Sequence, residues 1–136
     1  MFVVVGNTYQ IDHKLLEKVA KATFSCMKMP NAEIELKFVS EAEITRLNAV
    51  YRNTNSATDV LSFNLSDKPL LGQVFICYNF VKRQAKNIGK PFSEEVSLLL
   101  IHGILHVAGL DHANAKDEAA MQRNERDILS SLGMTR

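Results

Sequence analysis

The spacing of apolar residues changes period several times along the chain, and each change marks an element. Phe2 to Val5 is a brief β-branched run ending at Gly6-Asn7, which predicts a strand. Asp12 is placed to cap a helix with Leu15, Leu16, Val19, Ala22 and Phe24 inward and Lys14, Lys18 and Lys21 outward. From Ala32 to Val39 the pattern alternates, Ile34, Leu36 and Phe38 against Glu33, Glu35 and Lys37, as in a strand with one wet face. Ser40-Glu-Ala-Glu43 is a capping box, so a second helix follows, burying Ile44, Leu47 and Val50 and ending near Arg52. Residues 53–57 are small and polar, a loop. Val60 to Phe63 and Gln73 to Tyr78 predict two further strands, joined through Ser66-Asp-Lys-Pro69 and Gly72.

Helical spacing returns at Phe80 to Ile88, with Lys82, Arg83 and Lys86 along one side, Lys90 at its exit and a stop at Gly89-Lys90-Pro91. A basic helix side is usually a solvated face, though it can also track an RNA backbone. Ser93 is the expected cap of the next helix, with Glu94 and Glu95 at its positive end. Val96 to Leu110 is apolar nearly all round, so this helix is expected to be the central buried one. A last helix runs from about Lys116 to Leu132, with Met121, Ile128 and Leu132 inward and Gly133 as its stop. Together these elements predict an α+β fold in one domain over residues 1–136: a mixed sheet of about four strands covered by about five helices, with a zincin-like metal site on the buried helix.

Composition narrows the function. With 136 residues, 46% of them hydrophobic, the chain suits one ordinary core. A formal charge of +1 is far from the basic balance of a general nucleic-acid binder, so any such role must rest on local features. Cys26 and Cys77 form no paired motif and are expected to be buried free thiols in a reducing compartment. No charged and apolar leader opens the chain, and its longest apolar run is too short and too polar to span a bilayer. A soluble, cytoplasmic protein without membrane contact is expected.

The chemistry concentrates in His102-Gly-Ile-Leu-His106-Val-Ala-Gly109-Leu-Asp111-His112, which holds three of the four histidines. His102 and His106 are four apart, so on a helix they share one face and can reach one ion. Gly109 suits a left-handed helix stop, after which the chain can return His112 as a third ligand. Three ligands leave a fourth position open, as in catalytic rather than structural zinc sites. A lone buried histidine is more often a satisfied core residue, but that account must explain all three positions at once. The spacing also matches the metzincin proteases, except that Gly103 stands where those enzymes carry the general-base glutamate. For Gly103 itself, close packing of helix on sheet is the simpler reason.

These residues, together with Tyr51-Arg52, Thr58-Asp59-Val60-Leu61-Ser62-Phe63, Leu71-Gly72, Ile76-Cys77 and the tail Met121, Glu125, Ile128, Leu132-Gly133, resemble the YbeY family of bacterial rRNA maturation endoribonucleases. The resemblance spans roughly Leu47 to Gly133. It implies a zinc-dependent endoribonuclease that prefers single strands and acts in 16S rRNA 3′-end maturation and ribosome quality control. Its partners would be single-stranded RNA, the 16S rRNA precursor and the small ribosomal subunit. His102, His106 and His112 would hold Zn²⁺, or another divalent ion such as Ni²⁺, and Arg52 would engage RNA phosphate. Asn55, Ala57, Gln73 and Leu110 depart from the family's usual Asp, Pro, Asp and Tyr or Phe. Asp111 and Asp59 are candidates for orienting the site, each with a local capping or backbone role as the alternative. A peptidase-like metallohydrolase and a non-catalytic, metal-stabilised ribosome-assembly factor are the rival functions.

Overall fold

A computed structural model describes residues 1–5, 9–110 and 115–134. The expected α+β architecture is present, with five helices around a four-stranded mixed sheet. The elements are β1 (Phe2–Val5), α1 (His13–Cys26), β2 (Glu33–Val39), α2 (Glu41–Arg52), β3 (Val60–Asp67), β4 (Leu70–Cys77), α3 (Tyr78–Ile88), α4 (Phe92–Val107) and α5 (Ala115–Ser131). In the sheet order β1-β2-β4-β3, the first three strands run parallel and β3 returns antiparallel along the edge.

Each face of the sheet has its own apolar cluster. Ile34, Leu36 and Phe38 of β2 join Val74 and Ile76 of β4 beneath α1 and α4. Val39, Leu61 and Cys77 meet Ile44 and Leu47 of α2 on the other face. Helix α4 touches β3 and β4 as well as α1, α3 and α5. Its uniform hydrophobicity follows from that enclosure. Two glycines let it approach closely: a Cβ on Gly103 would lie 2.8 Å from Val74 Cγ1, and one on Gly72 would lie 2.4 Å from Val107 Cγ1. Valine therefore faces glycine twice across the same contact, once in each direction, and the second pair lies one residue from His106.

Several local expectations need correction. β3 and β4 are longer than the apolar runs, and only Lys68-Pro69 turns between them, because hydrogen bonding to a neighbouring strand continues through Asn64 and Asp67 without apolar alternation. Helix α4 starts at Phe92 behind Pro91 with no side-chain cap; Ser93 lies inside the helix, and its carbonyl accepts from Ser97 Oγ at 2.7 Å. Val50 is 63% exposed, since α2 covers the sheet only through Ile44, Leu47 and Asn48. Cys26 is exposed at the end of α1. Cys77 is buried, and burial holds its thiol pKa above the ordinary value, so it stays protonated and inert. Among the described residues no helix is long and apolar enough to cross a membrane.

Candidate metal centre

The last turns of α4 carry His102 and His106, each half-buried. Gly109 ends the helix with φ +103°, donating to the His106 carbonyl at 3.1 Å while Leu110 donates to Leu105 at 3.1 Å. The helix stop expected at Gly109 is thus present. His112 and Asp111 lie outside the described residues, and among those that are described no three His, Cys, Asp or Glu side chains converge on one point. The remaining histidine, His13, is exposed at the start of α1.

Each of the two helical imidazoles is held at Nδ1 by a different element. His102 Nδ1 is 3.2 Å from Glu125 Oε2 on α5. A carboxylate can only accept, so this contact puts the proton on Nδ1 and, in the neutral ring, the lone pair on Nε2. Glu125 is 3% exposed, and a carboxylate so deeply buried costs several kcal/mol, on the order of the ion-desolvation penalty, unless it is partnered. His106 Nδ1 is 3.1 Å from the hydroxyl of Ser62 on β3. Both rings are contacted at Nδ1, so Nε2 is the nitrogen that each would offer to an ion. That donor set fits a borderline metal ion whose ligand rings are oriented from outside.

Ser62 does more than hold His106. Cys77 N–H donates to the Asp59 carbonyl at 2.9 Å, which sets the antiparallel alternation and turns the Ser62 carbonyl outward from the open edge of β3. There it accepts from Arg52 Nη2 at 2.7 Å. Asn53, at φ 56°, stops α2 directly after Arg52 and lets the side chain reach across the edge. The guanidinium also lies 4.8 Å from the centroid of Phe63. One residue thus contacts both the arginine and the second histidine. Asn64 Nδ2 adds a bond to the Val107 carbonyl at 2.9 Å, fastening β3 to the same turn of α4.

Asp59 takes its local role: Oδ1 accepts from Val60 N–H at 2.8 Å, and Oδ2 is 3.4 Å from Gln84 Nε2, which also reaches Glu95 Oε1 at 3.3 Å. It ties the start of β3 to α3 and α4 and stands apart from the histidine contacts above. The basic side of α3 is mostly spoken for. Arg83 pairs with Glu41 of α2 and lies against Phe80, while Lys82 sits 5.3 Å from the Tyr78 ring. An apolar cavity of about 520 Å³ between α1 and the start of α4, lined by Ile11, Leu15, Leu16, Phe92 and Val96 among others, includes no histidine or arginine.

Sequence reasoning did not find Ser62 and Glu125 as holders of the imidazoles. For Glu125 a signal exists: it stands four residues after Met121 and three before Ile128, a charge on the buried stripe of its helix. Ser62 carries the fainter signal of a hydroxyl among the apolar residues of a strand. Its removal provides a test. Ser62→Ala is expected to weaken metal affinity about tenfold, as loss of an outer partner does, with little change in Tm. Competition against a chelating dye would measure it; unchanged affinity would mean that Ser62 does not orient the ring.

A family model described as Endoribonuclease YbeY matches residues 6–133. The chain belongs to the YbeY endoribonuclease family. It is 36% identical to Endoribonuclease YbeY of Finegoldia magna, covering 98% of this chain and 95% of that protein. It is 35% identical to the protein of the same name from Macrococcus caseolyticus, covering 97% and 95%. Among solved structures it resembles TM1509 from Thermotoga maritima, with a TM-score of 0.68 and 26% identity over 98% of this chain and 92% of that one. The YbeY departures fall away from the Ser62 contacts: Gln73 donates to Glu35 at 3.3 Å on the sheet, Ala57 and Leu110 pack beside the apolar clusters, and Asn55 is exposed.

Proposed function

We propose that this chain is a metal-dependent endoribonuclease that cuts single-stranded RNA, with the 16S rRNA precursor on the small ribosomal subunit as its substrate and Zn²⁺ as its ion, acting in the cytoplasm. The observation that carries this reading is the pair of bonds at Ser62, which seat an arginine fork and an imidazole ligand on one residue. His102 and His106 would hold the ion through Nε2, with His112 as the third ligand. When bound, such an ion supplies Lewis-acid chemistry, drawing electron density from a phosphoryl oxygen and making water a stronger acid.

The chain's own groups account for the rest. Arg52 commits one N–H to the Ser62 carbonyl and keeps the other arms of its fork for phosphate oxygens, where a planar guanidinium binds two at once. Stacking on Phe63 and the bond to Ser62 fix its position before substrate arrives, so the charge that builds on phosphate meets donors already in place. Glu125 and the Ser62 hydroxyl hold the imidazoles in register, and the Glu125 carboxylate favours Nδ1–H on His102. The peptidase alternative is disfavoured by position 103, where any side chain would strike Val74 on the sheet side of the helix rather than enter the site.

The test is cleavage of single-stranded rRNA fragments beside casein, with and without a chelator. RNA cut in a chelator-sensitive manner and casein left whole are expected. Arg52→Ala should lower RNA cleavage by about a hundredfold or somewhat less, the scale of losing one preorganised donor to developing charge. RNA left intact by metal-replete protein would end this reading, and cleavage of casein alone would favour the peptidase.

A further inference from the structure

We propose that Tyr51 is the stacking platform for the unpaired base next to the phosphate that Arg52 holds, and so the source of single-strand selectivity; the contact rests on the ribonuclease reading above. Of the seven Phe and three Tyr in the chain, all among the described residues, Tyr51 alone is exposed, at 60%. A single exposed aromatic is ordinary by itself. This one is fixed relative to the site. Its ring meets Phe63 edge-on, with centroids 5.3 Å apart and planes at 66°, and the same Phe63 ring carries the Arg52 guanidinium at 4.8 Å. Phe63 in turn follows Ser62, which holds both Arg52 and His106.

A cation for phosphate and an aromatic surface for a base therefore share one support at the open edge of β3. That pairing is what a single strand requires, because each unpaired base has a π-face free to stack and its phosphate lies alongside. In a duplex those faces are already stacked within the helix. The contact is made to base surface rather than base edge, so it tolerates sequence while discriminating against paired RNA.

Steady-state cleavage of a single-stranded RNA should show KM raised about tenfold by Tyr51→Ala with kcat held, the scale of one lost base stack. Tyr51→Phe should behave as wild type. On a matched substrate that is abasic beside the cut, wild type and Tyr51→Ala should have equal KM. The chain contains no tryptophan, so Tyr51→Trp gives a single indole whose emission a short single-stranded deoxyoligonucleotide should quench and its abasic counterpart should not. Wild-type cleavage with KM unmoved by Tyr51→Ala, or equal losses on normal and abasic strands, would overturn the proposal. Should wild type fail to cleave while Tyr51→Trp is still quenched by bases alone, the ribonuclease reading falls and the base contact stands.

Discussion

Replacing His106 with alanine is expected to lower RNA cleavage by about a thousandfold or more while the protein remains folded. The estimate follows from what the residue would hold: a bound Lewis acid contributes several kcal/mol to the transition state, and about 1.4 kcal/mol corresponds to a factor of ten. His106 is half-buried and its Nδ1 contacts the Ser62 hydroxyl, so truncation removes little packing. Circular dichroism should therefore be near native, and metal content by mass spectrometry should fall with activity. His102→Ala is expected to be harsher on the fold, because it removes a partner of the buried Glu125 carboxylate. Full activity in His106→Ala would show that α4 does not carry the chemistry.

The largest stability effect is expected at Gly72. A Cβ there would stand 2.4 Å from Val107 Cγ1, 2.9 Å from Val107 Cγ2 and 3.0 Å from the Phe63 carbonyl. The carbonyl belongs to a strand and cannot yield, and valine is stiff at χ1, so relief must come from moving α4 off the sheet. Gly72→Val should cost about 3 kcal/mol, the upper part of the range for overpacked cores, or about 10 °C in Tm for a chain of this size. Adding Val107→Ala should restore a good part of it, since the two positions share the clash. Calorimetry on the single and double variants measures the coupling. Equal Tm for Gly72→Val and wild type would mean that the close approach has slack.

Most of the fold was legible because local signals agreed with tertiary placement. The capping box at Ser40 started α2, where Ser40 Oγ accepts from Glu43 N–H at 3.2 Å, and Gly133 stopped α5 with φ +75°. Where prediction failed, a longer-range interaction had overridden the local pattern: Asn64 and Asp67 are polar yet belong to β3 because β4 supplies their ladder. Val50 fits a helical stripe but lies past the region that the sheet can cover. In the site, the i, i+4 histidines were readable because one helix brings them together. Their holders were not, since Ser62 is 44 residues from His106 and Glu125 is 23 from His102. No periodicity spans such gaps.

Those separations govern when the site can exist. The imidazoles, the hydroxyl that steadies one and the carboxylate that steadies the other come from α4, β3 and α5, and α5 follows the other two in the chain. During synthesis, which delivers residues from the N-terminus at about 5–20 per second, sheet and central helix can pair before Glu125 has appeared. A nascent chain would thus carry a loosely oriented His102 until α5 docks, and competence to cut RNA would be withheld until that helix has been made.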